Sequence, residues 1–151
     1  MLRVDVSDAL KVAQKAKDTV AVSTYRLILA AIKDRDIAAR SDGNLDGIGD
    51  DDILALLQSM IKQRHESITA YDKGGRQGLA EREATEIGVI EGFLPEQLDN
   101  GEIARAVAEV IAETGAASLK EMGQVMATLK ERYRGRMDFS KASAKVKERL
   151  V

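Results

Sequence analysis

The sequence predicts an all-α protein: an N-terminal bundle of about four helices including long ones, followed by a small C-terminal three-helix bundle. Three observations carry that expectation. Ala, Leu, Glu, Lys and Arg dominate while strict apolar and polar alternation is nearly absent, a composition that favours helix over strand. Apolar residues recur at the three-and-four spacing of an amphipathic helix along most of the chain. The single proline, Pro95, stands between two long helical patterns of different character, bars Leu94 from the helical region and cannot itself continue a helix.

Taken in order, helix one is expected from about Leu2 to Lys17, with Val6, Leu10 and Ala13 on one face. Helix two follows from Asp18 or Thr19, where a short polar side chain can cap, to about Ser41, and buries Tyr25, Ile28, Leu29 and Ile32. Asp42-Gly43-Asn44-Leu45-Asp46-Gly47-Ile48-Gly49 is dense in loop formers and reads as a mobile connector. Helix three starts near Asp50 to Asp52, whose carboxylates suit a positive helix end, and carries Ile53, Leu57, Met60, Ile61, Ile68 and Tyr71 up to Gly74-Gly75. Helix four, from about Arg76 to Gly92, presents Leu79, Ile87, Ile90 and Leu94.

Beyond Pro95 the pattern shortens. A helix from Glu102 to Thr114 carries Ile103, Val107, Val110 and Ile111, and Gly115-Ala116-Ala117 breaks it. Ser118 and Glu121 read as a capping box that starts the next helix, with Leu119, Met122, Met126, Leu129 and Tyr133 inward and Gly135 as its stop. A last helix from about Ser140 uses Phe139, Ala142, Val146 and Leu150. The expected domains are 1–94 and 95–151.

Composition excludes several function classes. A 44% hydrophobic content over 151 residues suffices for one core or two small ones. With no cysteine, disulfides, thiolate metal sites and cysteine nucleophiles are removed together, which fits a reducing cytosol. No apolar run approaches the ~20 residues that span a bilayer. Met1-Leu2-Arg3-Val4-Asp5-Val6-Ser7-Asp8 carries acids and no continuous apolar segment, so it reads as neither signal nor transit peptide. The expectation is a soluble cytoplasmic protein without a membrane partner.

Motifs for catalysis or metal binding fail on their own spacing. Asp42, Asn44, Asp46 and Gly47 match the opening of a calcium-binding loop with Asp50 at its ninth position, but the twelfth falls on Ile53 instead of a bidentate glutamate. Gly49 stands at the eighth, where an apolar residue is usual, and no calcium is expected. His65 is the single histidine, so zinc would have carboxylates alone as further ligands. No serine or threonine has an activating motif, and Gly74-Gly75 follows no strand that would make a phosphate-cradling loop. No cofactor is expected, and no catalytic residue is assigned.

The cations of the tail are different, because their spacing is coherent. The formal charge of −2 divides into 14 Lys and Arg against 21 Asp and Glu from Met1 to Ala117, and nine against four from Ser118 to Val151. Lys141, Lys145 and Arg149 recur at i, i+4 and i+8, one stripe of the last helix. Lys130 and Arg134 are expected one turn apart, and Arg136 follows Gly135 in the connecting turn. Together the six can face a phosphate backbone. The scarcity of aromatics, 3%, argues against stacking on single-stranded bases and favours the backbone and shape of a folded RNA. A solvated helical surface explains the same charges.

Glu83-Ala84-Thr85-Glu86-Ile87-Gly88-Val89-Ile90-Glu91 followed by Gly92-Phe93-Leu94-Pro95-Glu96-Gln97-Leu98 resembles the GatB/YqeY family. Tyr25 to Lys33, Lys62 to Ile68 with Gly74-Gly75-Arg76, and Met122 to Met126 with Gly135-Arg136-Met137-Asp138 extend the likeness over essentially the whole chain. The resemblance implies a stand-alone YqeY-like protein of two helical domains with a hinge at Pro95. Its second domain would be similar to the tail of the B subunit of glutamine-dependent aspartyl/glutamyl-tRNA amidotransferase, which contacts tRNA while amidase and kinase chemistry reside elsewhere. The family's glycine and basic positions match Gly123, Lys130, Gly135 and Arg136; Phe139 departs from the small residue that often follows the aspartate. What the resemblance implies is a non-catalytic tRNA-binding accessory protein, with an amidotransferase or an aminoacyl-tRNA synthetase as protein partner. A carbon-nitrogen ligase label using glutamine as amido donor would be inherited from the larger enzyme. The alternative class is a helical protein-protein adaptor without nucleic-acid binding. Met122-Gly123 resembles the pair in ubiquitin-associated domains, although there it lies in a loop before an aromatic and here Gln124 follows.

If the chain changes domain at its one proline, limited proteolysis of the native protein should cut in or near Gly92–Glu96 and leave two protected fragments. A pattern of early cuts elsewhere, with this segment intact, is the contrary outcome.

Overall fold

The computed structural model describes residues 1–151 and is helical throughout, without a strand. It divides into two compact units, Met1–Leu94 and Pro95–Val151.

The first unit holds α1 (Leu2–Ala16), α2 (Thr19–Arg40), α3 (Asp50–Lys73) and α4 (Gln77–Glu91). Two residues turn α1 into α2. Lys17 takes the left-handed conformation at φ 57°, and the N–H groups of Lys17 and Asp18 bond back to the carbonyls of Gln14 and Ala13, a Schellman ending with lysine in the place glycine usually fills. Asp18 then caps α2 by accepting from the Ala21 N–H at 3.1 Å. The 24 residues of α3 span about 36 Å at ~1.5 Å per residue, yet its buried positions, Ile53, Leu56, Leu57 and Met60, all fall in its first half.

Val6, Ile28, Ile32, Ile53, Leu56, Leu57, Met60 and Ile90 form the core of this unit, with Tyr25, Phe93 and Leu94 packed against it. The Tyr25 and Phe93 rings meet edge-on, 5.6 Å apart, and so the segment leaving α4 is anchored on α2. One expected core position shifts. Leu79 is exposed and Ala80 is buried in its place. Ala80 lies seven residues before Ile87, within about 20° of two full turns, whereas Leu79 lies about 80° off that face at ~3.6 residues per turn.

Charge is also built into this unit. Glu86, 7% exposed, receives the Arg64 guanidinium at 3.0 Å and that of Arg82 at 3.5 Å, while Arg64 also donates to the Met60 carbonyl. Two of the segments that carry the family resemblance are thereby ion-pair partners across α3 and α4.

The connector before α3, expected to be mobile, is tethered. Asp36 accepts two bonds from Arg3 and one from the Ile48 N–H at 2.8 Å, and Arg3 reaches the Ile48 carbonyl. The Arg3 guanidinium, with the Ile48 N–H second, holds the Asp36 carboxyl down at about 2. Gly47 is required there: its φ is 91°, and a Cβ would lie 2.8 Å from an Asp36 oxygen. Inside the loop the Asn44 side chain accepts from Asp46 and donates to the Gly47 carbonyl.

The second unit holds α5 (Asn100–Thr114), a 3₁₀ turn at Leu119–Glu121, α6 (Met122–Arg132) and α7 (Phe139–Leu150). Its capping box is formed by Asp99 and Glu102 at the start of α5. The box expected at Ser118 and Glu121 does not form. Glu121 takes the Ala117 N–H, the Ser118 side chain makes no cap, and the tight 3₁₀ turn delays α6 to Met122, which leaves Leu119 exposed and Val125 buried. Ile103, Val107, Val110, Val125, Leu129, Met137, Ala142 and Val146 fill the core. Phe139 is the first residue of α7 and packs on that core, one position ahead of the expected start.

Removing Glu86 strands a nearly buried guanidinium, so Glu86→Ala should lower the stability of the first unit by about 3 to 5 kcal/mol in chemical denaturation, and the apolar pair Arg64→Met with Glu86→Leu should restore most of it. Asp36 sets a pH dependence of known sign. Its folded value of about 2 lies below the ordinary 3.8, so the stability it contributes is full above pH ~4 and is lost as pH falls toward 2. Acid titration of the denaturation midpoint should show that loss in the natural protein and a flatter profile in Asp36→Asn.

Candidate nucleic-acid interface

Asp138 sets the start of α7. Its carboxylate accepts from the N–H groups of Ser140 at 2.9 Å and Lys141 at 3.3 Å, so the helix phase is fixed from its first turn. In that phase Ala142, Val146 and Leu150 are buried, and Lys141, Lys145 and Arg149 each stand one position earlier, about 100° around the helix. The basic stripe therefore runs beside the core stripe. Lys141 and Arg149 are exposed, Lys145 is half-buried, and none of the ion pairs within this unit uses them.

The other three predicted cations lie in and after α6. Lys130 is exposed in its last turn. Arg134 is exposed but lies beyond the helix, which ends at Arg132 with Tyr133 as its cap, so the expected one-turn spacing from Lys130 is not realised. Gly135, at φ 76°, reverses the chain, and Arg136 is half-buried behind it. Arg132 is committed internally to Glu113 on α5; the hydrogen bond between them holds the Glu113 carboxyl below and the Arg132 guanidinium above their ordinary values.

The turn itself is gripped from the start of the unit. The Gln97 side-chain amide donates to the carbonyls of Gly135 and, at 2.9 Å, Pro95. The Leu98 N–H donates to the Arg136 carbonyl at 2.8 Å, the Arg136 N–H to Tyr133 at 2.9 Å, and Arg136 Nε to the Glu96 carbonyl at 3.2 Å. Glu96, Gln97 and Leu98 thus serve the basic segment, and sequence spacing did not mark them. Their only signal was membership in the Leu-Pro-x-Gln-Leu run that carries the resemblance. No group of three or more His, Asp or Glu residues is arranged to hold a metal ion, and no helix is long and apolar enough to cross a membrane.

The family model described as Yqey-like protein matches residues 3–150. The chain belongs to the YqeY-like family. Among its relatives is "Altered inheritance of mitochondria protein 41, mitochondrial" of Eremothecium gossypii, 34% identical over 113 residues that cover 75% of this chain and 56% of the relative. The protein of the same name from Kluyveromyces lactis is 38% identical over 84 residues, 56% of this chain and 43% of its own length. That of Pyrenophora tritici-repentis is 26% identical over 144 residues, 92% and 75% of the two chains. The chain spans about half the length of the first two relatives it matches.

These names overturn the expectation of a cytoplasmic protein, since the relatives are mitochondrial by name. The physical basis of that expectation was too general. A chain without cysteine excludes disulfides and does not choose among reducing compartments, and the acids among the first residues describe those residues alone. Neither the family description nor the relatives' name denotes a catalysed reaction.

Proposed function

We propose that this YqeY-like protein is a non-catalytic tRNA-binding accessory protein whose second unit contacts the phosphates of a folded RNA. The observation that carries the reading is the α7 stripe: Lys141, Lys145 and Arg149 share one side of a helix whose phase is set by Asp138 and whose neighbouring stripe is locked into the core. Lys130, Arg134 and Arg136 supply further charge from the α6 end and the turn. Such an array offers ammonium and guanidinium groups to phosphate oxygens without reading bases, which suits a shape-selected duplex RNA. The resemblance to the amidotransferase tail points to the same RNA. It also makes an amidotransferase or an aminoacyl-tRNA synthetase the protein partner to seek.

With about five phosphates neutralised, log affinity for a tRNA transcript should fall against log salt with a slope of roughly −3.5 to −4.5, at ~0.7 to 0.9 per contact. The double variant Arg136→Ala, Lys145→Ala should shallow the slope by about 1.4 to 1.8 and weaken different tRNAs alike. Lys11→Ala with Lys15→Ala, in the acidic part of the chain, should change little. Binding that ignores salt, or that survives loss of the tail charges, would favour the protein-adaptor class instead.

A further inference from the structure

We infer that Gln97 is a positioning residue that holds Arg136 as a rigid seat for a single RNA phosphate. The inference rests on the RNA-binding reading above and goes beyond it by ranking one cation apart from the flexible lysines.

Both peptide groups that flank the Arg136 Cα are held from residues 95–98. The carbonyl before it, that of Gly135, accepts from Gln97 Nε2, and the carbonyl after it accepts from the Leu98 N–H at 2.8 Å. The same Gln97 nitrogen also reaches the Pro95 carbonyl at 2.9 Å, so one amide ties the start of the segment to the turn it grips. The arginine side chain is tied in turn, because Nε donates to the Glu96 carbonyl at 3.2 Å.

A guanidinium presents two forks, one through Nε and a nitrogen beside it and one through its two terminal nitrogens. With Nε engaged, the terminal fork remains, and its two parallel N–H groups match two oxygens of a phosphate. The side chain has already lost the freedom that a lysine loses only on binding, so the bond comes without that ordering cost. Glutamine is required for the grip. It brings two N–H donors for two carbonyls, whereas glutamate has none and would add a negative charge beside the seat.

The test uses the full chain, a fluorescently labelled tRNA transcript over a salt series, and the ¹⁵N-resolved Nε–H signal of Arg136. Gln97→Met keeps the side-chain length without a donor, and Gln97→Glu serves as a second variant; circular dichroism confirms that each is folded. Gln97→Met should bind about three to ten times more weakly with the salt slope unchanged, since no cation is removed. Arg136→Ala should shallow the slope by about 0.7 to 0.9, and adding Gln97→Met to it should cost nothing further. Arg136→Lys should keep the slope and still bind more weakly, because its donors all sit on one nitrogen, which cannot hold the Glu96 carbonyl and present a separate two-nitrogen fork to the phosphate. The Arg136 Nε–H should exchange slowly in the natural protein and rapidly in Gln97→Met.

Additive losses from Gln97→Met and Arg136→Ala, unchanged affinity in Gln97→Met, or an Nε–H equally labile in both proteins would overturn the positioning role while leaving RNA binding intact. Failure of the natural protein to bind the transcript with a salt dependence would sink the RNA reading itself and the phosphate seat with it.

Discussion

Pro95 lacks an N–H and forbids helix at the residue before it, so the backbone groups of the next residues are free to bond elsewhere. The second unit depends on where they go. Leu98 gives its N–H to the Arg136 carbonyl and Gln97 gives its amide to Gly135, across 38 residues of sequence. Gripping that turn fixes what lies just beyond it. Met137 enters the core fully buried, Asp138 reaches the first N–H groups of α7, and the phase of α7 decides which of its faces is apolar and which is basic. A helix continuing through position 95 would spend the same N–H groups within itself, and the turn between α6 and α7 would lose its partner.

The first unit shows the same economy with charge in place of a turn. Segments that look like unrelated signatures in sequence are partners in space: Arg64, from the Lys62-Gln63-Arg64 run, meets Glu86, from the run before Pro95. A charge pair this deeply buried is poor at adding stability, because desolvation offsets its attraction, but either partner alone is costly. Each residue therefore constrains the other, and the register of α3 against α4 is fixed by polarity where the apolar core, confined to the first half of α3, no longer reaches. Arg3, Asp36 and Ile48 do the like for the connector. Asp36 converts a glycine-rich stretch into a tethered one and makes Gly47 indispensable by proximity.

This explains what the sequence made legible. Helix existence and most core positions follow from a period of ~3.6 residues, a local property, and Ile28, Ile32, Leu57, Ile90, Val107 and Val146 sit where the period puts them. Errors arose where one local rule met a competing local one. Ser118 and Glu121 have the letters of a capping box, yet the Ala117 N–H captured the glutamate; Leu79 is more apolar than Ala80, yet Ala80 is in phase with Ile87. Lys130 and Arg134 have helical spacing, but the helix stops between them. The α7 stripe was legible because its four-residue repeat lies wholly inside one helix. The grip on Arg136 was not, because a bond between residues 40 apart leaves no periodic trace.

The balance of charge bears on how such a surface would work. Pro95–Val151 carries ten Lys and Arg against nine Asp and Glu, and the whole chain is at −2, so there is no strong net field to draw a polyanion from a distance. What the unit has is partial segregation: α5 carries Glu102, Glu109 and Glu113 against Arg105, while α7 carries Lys141, Lys145, Lys147 and Arg149 against Glu148. The Debye length is ~8 Å at physiological salt, so separated patches of opposite sign act on a ligand only near contact. On the proposed reading, affinity then has to come from short-range bonds made after encounter, and the order of each cation before binding matters more than the number of cations. A surface of this kind gains most from an arginine whose backbone and Nε are already held.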